Sequence, residues 1–144
     1  MMKELRTEIE IQASPEKVWQ ILTALDKWPE WNPFISSALG KAEVGAKVDI
    51  SVPSGSKKMV LHCKVIRVEP NRELCWKYHV LLPALFEGEH SFTIEPLGSN
   101  RVHFIDREIF HGWLVPLQAK DIDTNSRGGF EAMDKALKAR VEQA

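Results

Sequence analysis

Apolar and polar residues alternate from the first positions of the chain, with Leu5, Thr7, Ile9 and Ile11 interleaved with Arg6, Glu8, Glu10 and Gln12. A period of two marks a strand with one buried face. The pattern then changes at Ala13-Ser14-Pro15-Glu16. Ser14 suits a helix N-cap, Pro15 the first helical position and Glu16 the positive end of the helix dipole. Val18, Ile21, Leu22 and Leu25 follow at helical spacing and predict a helix ending near Asp26. Trp28-Pro29-Glu30-Trp31-Asn32-Pro33-Phe34 holds its aromatic residues among two prolines, each of which stiffens itself and its predecessor. It predicts a rigid turn or a single helical turn. Such a turn plugs one end of a core or, through Trp31 or Phe34, lines a pocket.

From Ile35 the strand pattern returns and persists. A weak strand over residues 36–43 leads through a turn at Val44-Gly45 to a strand carrying Val48, Ile50 and Val52. After a turn at Pro53-Ser54-Gly55-Ser56, Met59, Leu61, Cys63 and Val65 share one parity, whereas Ile66 and Val68 have the other. That slip predicts a β-bulge near Val65-Ile66 and a bent sheet. Leu74, Trp76, Tyr78 and Val80 form the next strand, and an apolar loop, Leu82-Pro83-Ala84-Leu85, follows. Phe86, Gly88, His90, Phe92 and Ile94 share a face in the strand after it. A turn at 96–100 precedes a last strand over residues 101–111.

The segment 112–144 reads as one long amphipathic helix interrupted in its middle by Gly128-Gly129. Phe130, Met133, Leu137 and Val141 make its apolar stripe, while Asp134, Lys135, Lys138 and Glu142 are expected on the other sides. The glycine pair predicts either a kink or a hinge that admits ligand, and its replacement by alanine is expected to stabilise the helix. Seven strands closed by one helix make an α+β arrangement with a curved antiparallel sheet, and two short helices follow the first strand. The length of 144 residues predicts one domain over 1–144.

Composition excludes more than it assigns. Hydrophobic residues make up 44% and charged residues 27%, with a net charge of −1 and no basic block, which argues against a nucleic-acid partner. No apolar run approaches the ~20 residues of a membrane span, so no stable membrane insertion is expected. The start, Met1-Met2-Lys3-Glu4-Leu5-Arg6, enters a charged alternating segment and predicts no signal peptide. Cys63 and Cys75 flank the turn at 69–72 with Cys63 facing a position near His79, so they are expected to be reduced and unpaired, in a cytoplasmic protein. No metal-ligand spacing, strained serine elbow or phosphate-cradling glycine loop occurs, and no metal or cofactor is expected.

The chemistry rests on parity. Val102, Phe104, Asp106, Glu108 and Phe110 alternate together, and His90 shares a face with Phe86, Phe92 and Ile94. If these faces point inward, a histidine and carboxylates meet in an apolar interior, where they can transfer protons or orient a ligand. A bulge would instead turn Ile105 and Ile109 inward and send Asp106 and Glu108 to solvent.

The stretches Ala13-Ser14-Pro15-Glu16-Lys17-Val18-Trp19 and Trp28-Pro29-Glu30-Trp31-Asn32-Pro33-Phe34 resemble the opening of the START-like, SRPBCC superfamily. Gly88-Glu89-His90-Ser91-Phe92-Thr93-Ile94-Glu95-Pro96 resembles its central strand in the polyketide cyclase/dehydrase and lipid-transport branch. Gly129-Phe130-Glu131-Ala132-Met133, followed by Lys135-Ala136-Leu137-Lys138, resembles its closing helix. The resemblance covers nearly the whole chain. It implies the helix-grip, Bet v 1-like fold, with a hydrophobic cavity between sheet and helix, and a hydrophobic or amphipathic ligand that is lipid-, sterol- or polyketide-like. Together with strand parity it implies a wall drawn from Trp76, Tyr78, Phe86, His90, Phe92, Phe104, Phe130 and Met133, with the loop at 82–85 as its lip. A binding protein, as monomer or homodimer, is expected ahead of an enzyme. The alternatives are a cyclase or dehydratase using His90 with Glu108 or Asp106 as acid and base, and a co-chaperone-like interaction domain.

Overall fold

In the computed structural model, which describes residues 2–144, the chain runs β1 (Met2–Ile11), α1 (Pro15–Thr23), a 3-10 turn (Leu25–Glu30) and then six strands. These are β2 (Ser37–Gly40), β3 (Lys47–Ser54), β4 (Lys57–Glu69), β5 (Glu73–His79), β6 (Glu87–Gly98) and β7 (Arg101–His111). The chain closes with α2 (Val115–Asp121), a π-helical turn (Ile122–Ser126) and α3 (Arg127–Gln143). All seven strands form one antiparallel sheet in the order β1-β7-β6-β5-β4-β3-β2, curved around the closing helix in the helix-grip arrangement.

Local sequence accounts for the boundaries. The Ser14 hydroxyl accepts from the Lys17 amide at 3.2 Å and caps α1, with Pro15 in its first turn. The helix stops at Thr23 instead of reaching Asp26, because Leu25 already belongs to the 3-10 turn that carries Trp28. Trp28 is fully buried, donates from its indole to the Leu22 carbonyl at 3.0 Å, and packs against Trp76 and Phe92. It plugs the core. Asn32 accepts from the amides of Phe34 and Ile35 through its side-chain oxygen, which turns the chain out of this plug into β2.

The sheet curves where parity slips. Register shifts between Val65 and Arg67 on β4, the expected bulge, and again between Pro96 and Gly98 on β6. Against β7, by contrast, β1 runs in unbroken register from Met2↔His111 to Ile11↔Val102. The inner faces of β1, β3, β4, β5, β6 and β7 supply one core, with Leu22 and Leu25 beneath it and Met133, Leu137 and Val141 above. A smaller cluster of Leu5, Phe110, Val115, Ile122 and Phe130 holds the start of the closing helix.

Three expectations about that helix need correction. Backbone angles stay helical through both joins of the π-turn, so the irregularity lies at Ile122–Ser126 and not at the glycines. Gly129 is required by close approach: an added Cβ would fall within the Phe34 ring, whereas one at Gly128 would meet open space. Asp134, expected on an outer side, is 2% exposed. It sits beside Met133 on the face that packs against β1 and β7, where Thr7 donates to it at 2.6 Å. The cysteines are unpaired and buried; Cys63 faces Val48 on β3 and Cys75 faces Arg67 on β4. Burial pushes the Cys75 thiol up to about 12, which leaves it unreactive.

Candidate functional site

The unbroken β1–β7 register decides the chemistry of the interior. With no bulge in the Asp106–Glu108 stretch, Phe104, Asp106, Glu108 and Phe110 all point inward, and the alternative that sends the carboxylates to solvent does not occur. His90 lies directly across from Glu108 on β6, and Trp76 lies across from His90 on β5. The cross-strand neighbours thus bring a histidine between two carboxyl groups. His90 Nε2 is 2.5 Å from Asp106 Oδ1 and Nδ1 is 3.3 Å from Glu108 Oε1. The Tyr78 hydroxyl donates to Glu108 Oε2 at 2.6 Å. Phe130 from α3 stacks on the imidazole at 4.8 Å and 7°, and Phe92 covers its other side at 4.2 Å.

Gly88 makes room for this cluster. A Cβ there would lie 2.5 Å from Tyr78 Cζ and 2.6 Å from Glu108 Oε2, so only glycine lets both groups pack on that strand.

Behind His90 the network continues to the helix. The carboxyl groups of Asp134 and Asp106 are buried neighbours, and Asp106 Oδ2 and Asp134 Oδ1 have no hydrogen-bond donor on them. Two carboxyl groups can share a buried contact only if one is protonated. Burial first, and the neighbouring Asp106 after it, raise Asp134 to about 9; burial raises Asp106 to about 8, opposed by Asp134. Burial lowers the His90 pKa, against the pull of Glu108 and Asp134, and favours the neutral ring. Burial also raises Glu108, opposed by His90 and by the Tyr78 hydroxyl, and it raises Tyr78 well above its ordinary value. These contacts fit a proton held between Asp134 and Asp106 and another between Asp106 and His90 Nε2, leaving Glu108 to accept from Tyr78 and to face His90 Nδ1 at 3.3 Å. Glu108 is then the anion of the chain.

This array opens onto a cavity of about 700 Å³ between the sheet and the closing helix. Tyr78, Phe86, His90 and Phe130 lie on its wall, as does Glu108. Trp76, Phe92, Phe104 and Met133, also expected there, are not on it; they fill the core beside α1 and the 3-10 turn, where Trp28 occupies the space the wall would need. Asp106 is fully buried behind His90 and does not reach the cavity. The wall is completed by Phe34, by Ile50, Val52, Met59 and Leu61 from β3 and β4, and by Gln118, Asp121, Ile122 and Asn125 of the closing helix. The last group sits at i, i+3, i+4 and i+7, so it shares one helical face. Of the apolar loop, Val80 and Phe86 at its ends line the cavity, while Leu81 and Leu82 are exposed. The loop joins the segment after β7 through the Trp113 amide, which donates to the Ala84 carbonyl at 3.2 Å. Among the described residues no group of His, Cys, Asp or Glu is arranged to hold a metal ion, and no helix is long and apolar enough to cross a membrane.

Known proteins share this architecture. No curated protein matches the sequence. Norcoclaurine synthase from Thalictrum flavum, a point mutant with a transition-state analogue, superposes with a TM-score of 0.78 at 17% identity, over 99% of this chain and 96% of that one. The Zhui aromatase/cyclase from a Streptomyces species superposes with a TM-score of 0.79 at 14% identity, over 99% and 95% of the two chains. A START superfamily protein from Mycobacterium smegmatis gives a TM-score of 0.76 at 22% identity, over 97% of each. At these identities the likeness is one of fold. Residues 2–142 match the model of the polyketide cyclase/dehydrase and lipid transport family, and the chain belongs to that family.

Proposed function

We propose that the protein binds an amphipathic small molecule in the cavity, with its apolar body along Ile50, Val52, Leu61, Phe86 and Phe130 and its polar end at Tyr78, Glu108 and His90. One observation carries this reading: a hydrogen-bonded polar cluster, almost wholly buried, forms part of the wall of an otherwise largely apolar cavity of about 700 Å³. Such a volume suits a lipid-, sterol- or polyketide-sized molecule, and a few convergent polar groups on an apolar wall are what orient one. Family membership supports the reading without naming the ligand. The buried, unpaired cysteines agree with a reducing, cytoplasmic setting.

The test is titration with the neutral fluorophore N-phenyl-1-naphthylamine. Saturable binding at one site, weakened about tenfold or more by Val52→Trp, which fills the cavity from its half-buried wall, is the expected result. Absence of saturable binding sinks the proposal. A second reading, proton transfer on a carbonyl-containing ligand, is favoured by the clamping of His90 between Asp106 and Glu108. In it Glu108, not Asp106, meets the ligand. A molecule found by native mass spectrometry and converted by the protein would support it, and conversion that survives Glu108→Gln would remove it.

A further inference from the structure

We propose that the cavity selects molecules whose polar end is a protonated amine and rejects those that end in a carboxylate or phosphate. This deepens the binding reading above and rests on it.

The chain carries 19 lysines and arginines, yet none lines the cavity. Its acidic wall residues are Glu108, 5% exposed, and Asp121 on α2. Two further carboxyl groups, Asp106 and Asp134, stand behind His90 with no basic side chain on them. An anionic ligand would therefore approach Glu108 and Asp121 with no lysine or arginine on the wall to offset them.

The hydrogen-bond inventory points the same way. The Tyr78 proton is committed to Glu108, His90 Nε2 is engaged with Asp106, and His90 Nδ1 stands 3.3 Å from Glu108 Oε1. The Asn125 amide gives one of its two hydrogens to Asp121 at 2.6 Å. The indole of Trp76 is a buried donor without a partner, but its side chain does not reach the cavity. Ser54, Gln118 and Ser126 carry donors elsewhere on the wall, but what Tyr78 and Glu108 leave at its inner end is acceptor capacity: the unused lone pairs of the Glu108 carboxylate and of the Tyr78 oxygen. A molecule placed there must bring the donor. An ammonium brings up to three together with the compensating charge, a hydroxyl brings one, and a carboxylate brings none. In a site shielded from water these differences are magnified, because an unpaired buried anion has no solvent to screen it.

Three probes with one tail separate the possibilities: dodecylamine, 1-dodecanol and dodecanoate, each used below its micellar concentration to displace N-phenyl-1-naphthylamine at pH 7. Displacement by dodecylamine at a concentration about tenfold or more below that of dodecanoate, with 1-dodecanol between, is expected. In Glu108→Gln, which keeps the side-chain shape and removes the charge, the ratio should fall to roughly threefold or less. Dodecanoate equal to or better than dodecylamine overturns the proposal, as does an unchanged ratio in Glu108→Gln. If the fluorophore binds and none of the three displaces it, head-group selection fails while cavity binding stands. If the fluorophore itself does not bind, the binding reading fails first and takes this proposal with it.

Discussion

Gly128 and Gly129 are adjacent in the chain and opposite in role. Alanine at Gly128 meets open space and relieves the helix of a poor former, so Gly128→Ala should stabilise by up to about 1 kcal/mol. Alanine at Gly129 would enter the Phe34 ring, which itself packs edge-on to Phe130 at 5.8 Å. Overpacking of that kind costs about 1–3 kcal/mol, more than the helix propensity gained. Denaturant unfolding of the two single variants should therefore give shifts of opposite sign. Equal, stabilising shifts would return the pair to a simple helical role. Composition and periodicity cannot make this distinction, because both glycines occupy the same helix and only the path of residues 32–35 brings a ring onto one of them.

At the scale of elements, the 3-10 turn Leu25–Glu30 is short, holds an internal proline and still anchors the core. Its Trp28 meets Trp76 and Phe92 at 5.7 and 5.8 Å and closes one end of the core, while its Glu30 accepts from Arg140 of the closing helix at 2.6 Å. Trp28→Ala should cost about 3–5 kcal/mol. Trp113→Ala, at a side chain 79% exposed, should change stability by less than about 0.5 kcal/mol. Chemical unfolding followed by far-ultraviolet circular dichroism compares them, and comparable losses would deny the turn its role as a plug. The same element explains why the aromatic residues of β5 and β6 split. Tyr78 lies beyond the reach of Trp28 and faces the cavity, whereas Trp76 and Phe92 are covered by it.

Across the whole molecule, the contact between Asp134 on the helix and Asp106 on the sheet ties stability to pH. Both carboxyl groups have folded pKa values raised above the ordinary aspartate value, to about 9 and about 8. The folded state therefore binds protons that the unfolded state releases near pH 4. Their contribution is fully present below that unfolded value and is lost as pH rises through the folded ones. Stability should fall between about pH 4 and pH 9 on this account. Asp134→Asn keeps an acceptor for Thr7 and a donor for Asp106 while removing one titration. Its melting temperature should exceed that of the unaltered protein at pH 9.5 by roughly 2–4 °C or more, with a shallower decline from pH 5 to pH 9. A variant less stable at every pH, with an unchanged slope, would contradict the shared proton.

Much of the fold is legible in the sequence because it is local. The Ser14-Pro15 start of α1, the alternation of β1, the parity slip at Val65-Ile66 and the limits of β7 depend on neighbours within a few residues. The inward parity of His90 and Glu108 is legible too, conditional on a register without a bulge, and the β1–β7 ladder meets that condition. Other features depend on residues far apart in sequence. Burial of Asp134 needs Thr7, 127 positions away, and the reason for Gly129 needs Phe34. The division of the aromatic residues between core and cavity needs the 3-10 turn to take its place first. Periodicity assigns a side chain to a face of its own element. What covers that face is decided by tertiary packing, and with it whether a carboxyl group is hydrated and charged or buried and sharing a proton.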